Sequence, residues 1–112
     1  MAYDEVMAER LREMLEPYGP VREMKMFGGL AFMRFGHMVT GVMSRDRMLL
    51  RLDPEDVATA VAAGEARPFM MQGRQAKGFA VIENPSELDD EPLAEFVARC
   101  VRFVDTLPPK AG

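Results

Sequence analysis

The chain has 112 residues, 48% hydrophobic and 29% charged, with a formal net charge of −4. That length and balance fit one self-sufficient domain and exclude a disordered chain, and no apolar run reaches the roughly 18 residues of a membrane span. The acidic start MAYDEVMAERL lacks the basic and apolar regions of a signal peptide, and Cys100, the single cysteine, allows no intrachain disulfide, so a cytoplasmic protein is expected.

Residues 3–15 read as a helix. Tyr3, Met7, Leu11 and Met14 recur at three- and four-residue spacing, and Pro17 and Gly19-Pro20 stop it. Residues 24–52 read as a three-strand meander. Its first strand runs from about Met24 to Phe35 and is interrupted by Gly28-Gly29, a pair that inside a strand means a bulge or a close backbone approach. Gly36-His37 suits a two-residue hairpin turn, Met38 to Met43 the second strand, Arg45-Asp46 a turn, and Arg47 to Leu52 the third.

Asp53-Pro54-Glu55 is a helix start, with Asp as the cap and Pro at the first helical position, and Gly64 ends that helix. Arg67 to Met71 is a short strand, placed at an edge by Pro68. Gln72-Gly73-Arg74 turns the chain into a strand over Gly78 to Glu83. The last helix starts near Ser86 or Asp90 and runs to about Leu107. Its apolar stripe covers more than half the circumference, which predicts burial on two sides, by the sheet and by another helix or a second subunit. The order α-β-β-β-α-β-β-α predicts a two-layer α+β domain with a five-stranded antiparallel sheet and one continuous core over residues 1–112.

Charge is uneven along this order. Residues 1–20 carry two basic and five acidic groups, residues 83–112 three and seven, and residues 21–82 nine and six. Within the basic middle, Lys25, Arg51, Arg67, Arg74 and Lys77 form a candidate set. Arg presents a planar fork to carboxylate or phosphate and Lys a point charge. If the GRQAKG stretch, read as a loop, folds back near Gly28-Gly29, the free amides there and the basic groups make an anion-binding corner. The plainer reading is solvated charge with salt bridges to the acidic helices, and a glycine pair that only bends a strand.

Other candidates carry less chemistry. His37, the only histidine, falls in a predicted turn and far in sequence from Cys100. Cys100 lies on the apolar stripe of the last helix, where a thiol behaves as an inert small hydrophobe. Glu87, Asp89, Asp90 and Glu91 stand at a helix start, where capping and the dipole explain acids. Eleven methionines suit a plastic core or an adaptable contact surface, and their scatter gives no ligand spacing, so neither metal nor cofactor is expected.

The stretch Lys25-Met26-Phe27-Gly28-Gly29-Leu30, followed by Phe32-Met33, resembles the signature of the TfoX N-terminal domain. So do Arg67-Pro68-Phe69, Gly73-Arg74, Lys77-Gly78-Phe79 and the closing Phe103-Val104 to Leu107-Pro108. The similarity spans roughly residues 5–110. Full-length members of that family regulate natural competence and carry a second domain; with the chain ending at Gly112, the resemblance implies a single-domain member. It supplies no catalytic residues. The function expected is a non-enzymatic regulatory module that binds a protein or a second copy of itself, through a surface containing Phe96, Cys100 and Phe103. Nucleic acid and membrane are not expected partners. The alternative is a small anionic ligand on the basic set and the glycine pair.

Overall fold

Asp4 opens the first helix by accepting hydrogen bonds from the Val6 and Met7 amides, which relieves two of the unpaired donors every helix start carries. The computed structural model describes residues 3–26 and 28–109. In chain order the elements are α1 (Glu5–Leu15), β1 (Arg22–Met26), β2 (Gly29–Arg34), β3 (His37–Met43), β4 (Arg47–Arg51), α2 (Pro54–Ala62), β5 (Arg67–Met71), β6 (Arg74–Glu83) and α3 (Asp90–Val104). The strands form one antiparallel sheet in the order β1-β2-β3-β4-β6-β5. The architecture is the expected α+β, with six strands where five were predicted.

The additional strand comes from Gly28-Gly29, which ends one strand and begins another. Gly28 adopts φ 73°, a left-handed conformation that costs glycine little, and the chain reverses there so that Met26 pairs with Gly29. Phe27 lies outside the described residues. Gly29 supplies the close approach that the pattern allowed: a Cβ there would stand 2.3 Å from the Val42 carbonyl oxygen.

Two other turns differ from their sequence reading. Phe35 and Gly36, both at positive φ, make the β2–β3 turn, and His37 is the first residue of β3, opposite Arg34. Gln72 and Gly73 do the same between β5 and β6, so β6 begins at Arg74 and most of the GRQAKG stretch is strand. Two consecutive positive φ values match the twist of the flanking strands, which is why hairpins use them. The last helix ends at Val104, three residues short of its predicted limit.

The three helices share one face of the sheet. Met7, Ala8, Leu11 and Leu15 of α1, Val57 and Ala60 of α2, and Leu93, Phe96, Val97, Cys100, Val101 and Val104 of α3 are buried. They meet Leu30, Phe32, Val42, Met48, Leu50, Ala80 and Ile82 from the sheet in a single cluster. Helix α3 lies over β3 and β4 and also touches α1, so its wide stripe is buried within this one chain. Arg10 of α1 fastens the two helices by pairing with Asp90 at 2.7 Å and donating to the Leu88 carbonyl at 2.8 Å. No helix among the described residues is long and apolar enough to cross a membrane.

Candidate functional site on the open face of the sheet

Side chains alternate across a strand, so residues between the core positions point to the second face. That face is also apolar. Ala31, Gly41, Leu49 and Val81 form a cross-strand row over β2, β3, β4 and β6, with Met24 beyond Ala31 on β1. A flat six-stranded sheet would hold its edges about 24 Å apart, at roughly 4.8 Å per strand. Here Met26 from edge strand β1 and Phe69 from edge strand β5 line the same cavity, so the sheet curls around its second face. Small side chains permit the curl. A Cβ on Gly41 would lie 2.9 Å from the Leu30 carbonyl oxygen, and Gly29 is tighter still.

The result is a groove of about 510 Å³ with no helix residue in its lining among the described residues. Met26, Met33, Met38 and Met71 contribute thioethers, Leu49 a buried aliphatic group, and Phe69 and Phe79 aromatic rings 6.2 Å apart. Leu107 and Pro108, beyond α3, close one end. The ring Nε2 of His37 lies 2.7 Å from the Pro108 carbonyl oxygen, which accepts and so requires the proton on Nε2. A neighbouring groove of about 490 Å³ shares Met33 and Gly36 and adds Met24 and Phe35, both exposed.

Arg51 is the one Lys or Arg among the described residues that line the larger groove. It is half-buried, with its guanidinium carbon 4.9 Å from the Phe79 ring centre and 5.1 Å from that of Phe103. Its Nη1 donates to the Gly78 carbonyl at 3.2 Å. Gly78 makes this possible, because a Cβ there would stand 2.0 Å from Arg51 Nη1.

The rest of the predicted basic set is placed elsewhere. Lys25 sits on edge strand β1, and Gly28 in the turn after it. Arg67, Arg74 and Lys77 are exposed on the β5–β6 hairpin at the other side of the sheet. Of the five, only Arg51 lines the groove. Among the described residues none of the five forms an ion pair, whereas Arg10, Arg12, Arg34 and Arg99 do.

Phe96 and Cys100 lie inside the core, so neither is available to a partner, and Phe103 is half-buried beneath Arg51. Burial pushes the Cys100 thiol up to about 12, and the group stays a neutral hydrophobe. Asp90 serves the Arg10 pair, and Asp89 stands at the cap position of α3 without a capping side-chain bond. Among the described residues no three His, Cys, Asp or Glu side chains gather as a metal would require.

The groove itself escaped the sequence reading, although a signal was present. Met24 and Met26, Met33, Met38, Met43 and Met71 all fall on strands, and Met33, Met38 and Met43 stand next to the core residues Phe32, Val39 and Val42. No curated protein and no solved structure matches the chain. The family model for the TfoX N-terminal domain matches residues 13–104, a span running from within α1 to the last residue of α3 and containing all six strands, and the chain belongs to that family.

Proposed function

We propose that this domain is a non-enzymatic regulatory module that acts by binding, and that the open face of the sheet receives its partner. The observation that carries this reading is the uncovered groove of about 510 Å³ with its thioether and aromatic lining. Unbranched thioethers adapt to the shape of what they touch and gain contacts with aromatic groups, so such a lining suits an apolar protein segment. Large exposed apolar patches on a folded domain mark interaction sites, and Met71 and Phe35 are 45% and 60% exposed. The polar side chains at the groove, Arg51 and His37, include no nucleophile for His37 to activate. Regulation, in the sense implied by the competence regulators of the family, then consists of occupancy of this face by a cytoplasmic protein or by a second copy of the chain.

The test is site-specific photo-crosslinking in living cells. A photoreactive residue at Met71 yields a protein adduct or a chain dimer, and one at Ala58, exposed on α2, does not. No adduct from Met71, or equal adducts from both positions, removes the reading. Light scattering on the purified chain separates self-association from a foreign partner.

A second reading, a small anionic ligand, is favoured by one observation: Arg51 brings into the groove wall a charge that has no counter-ion among the described residues.

A further inference from the structure

We infer that the groove is a site for a small amphiphilic monocarboxylate, with an aliphatic tail along the thioethers and the carboxylate on the Arg51 guanidinium. The inference rests on the open face being a binding face, and names the chemistry of an occupant.

The charge comes first. Arg51 is half-buried and has no carboxylate within ion-pair distance among the described residues. A guanidinium carries five N–H donors, and the only hydrogen bond it makes there is the one to the Gly78 carbonyl. The rings of Phe79 and Phe103 hold the cation, fixing a fork that matches the two oxygens of a carboxylate. Partly desolvated surroundings strengthen such a pair relative to open water.

The surroundings select the rest of the ligand. The groove volume, about 510 Å³, falls in the range of small-molecule sites. Met26, Met38 and Met71 line it with Leu49, and its other polar side chain, His37, is already engaged by the Pro108 carbonyl. Lys25, Arg67, Arg74 and Lys77 are absent from its lining. One cation beside a long apolar wall fits a single negative charge on an aliphatic body. A phosphate dianion would set two negative charges against the single guanidinium in the lining.

Three probes with one tail and different heads test this: octanoate, 1-octanol and octylammonium, each titrated into the full chain carrying isotope-labelled methionine methyls. Octanoate shifts the methyls of Met26, Met38 and Met71 and leaves those of Met7 and Met48, in the helix-covered core, in place. The alcohol binds about tenfold more weakly, as expected for loss of a charge-assisted pair, and the ammonium weaker still. Arg51→Met, which keeps the apolar stem, lowers octanoate affinity about tenfold and leaves 1-octanol unchanged. If that variant does not fold, Arg51→Lys, which keeps the charge without the fork, serves instead and also weakens octanoate relative to 1-octanol. Equal binding of acid and alcohol, or an Arg51 variant with unaltered octanoate affinity, overturns the inference while leaving an apolar binding face in place. No shift with any probe overturns it too, and the protein-binding reading then stands or falls on the crosslinking.

Discussion

The two faces of the sheet are built from alternate residues of the same strands and have opposite surroundings. On one face Phe32, Met48 and Leu50 are fully buried in the cluster that α1 and α3 cover. On the other, Met26, Met33 and Met38 are only half-buried and Met71 is exposed. The composition differs accordingly. Shape-fixed Leu, Val and Phe dominate the covered face, while Met, Gly and Ala populate the open one. Glycine and alanine let the sheet curl, and methionine fills the resulting hollow without fixing its shape. An apolar pattern therefore does not by itself distinguish a core from a contact surface; the mixture of apolar residues leans one way or the other, with Met48 and Ala80 on the covered face and Leu49 and Val81 on the open one.

The largest expected effect exploits that contrast. Leu50→Ala removes buried methyls from the covered face and destabilises the fold by roughly 2–5 kcal/mol, whereas Met38→Ala on the open face costs less than about 1 kcal/mol. Urea denaturation of both variants measures the difference, and equal losses would erase the distinction between faces. Cys100 reports on the covered side through pH. Its folded-state value is raised, so its contribution is intact below the usual thiol range and is lost as pH climbs toward about 12. Stability falls there with a thiol term of about 1.4 kcal/mol per pH unit, absent from Cys100→Ala. On the open side, Gly78→Ala displaces the Arg51 guanidinium, a flexible group that can swing away. It changes stability by less than about 1 kcal/mol yet weakens octanoate as an Arg51 variant does.

The smallest effect lies at the rim. Arg12 grips Glu23 through Nε at 2.6 Å and Nη2 at 2.9 Å, and this hydrogen bonding holds the Glu23 carboxyl below its usual range. The pair stabilises the fold above the ordinary carboxylate range and ceases to do so as pH falls through the depressed value. Glu23→Gln costs about 0.5 kcal/mol at neutral pH, because both side chains are partly exposed and water screens the pair, and the penalty shrinks in acid.

Much of the fold was legible because its signals are local. Asp53-Pro54-Glu55 caps α2 as read, with the Asp53 carboxylate accepting from the Glu55 amide. The spacing of Met7, Leu11 and Leu15 marks the buried stripe of α1. What failed depended on distant chain. Gly28-Gly29 has the same local grammar as a bulge or a turn, and only the pairing of β1 back onto β2 decides between them. Likewise the wide stripe of α3 announced the sheet as one covering but could not choose between another helix and a second subunit for the other, which α1 supplies. Arg51 was grouped with four companions by charge alone. Strand order, with β1 and β5 at opposite edges, separates them.

The most direct test of the open face is paramagnetic relaxation of the methionine methyls by a small, neutral, apolar nitroxide. The account predicts strong enhancement at Met26, Met33, Met38 and Met71 and almost none at Met7 and Met48. Comparable enhancement at both sets, or protection of the first set at every nitroxide concentration in the monomeric chain, would contradict it.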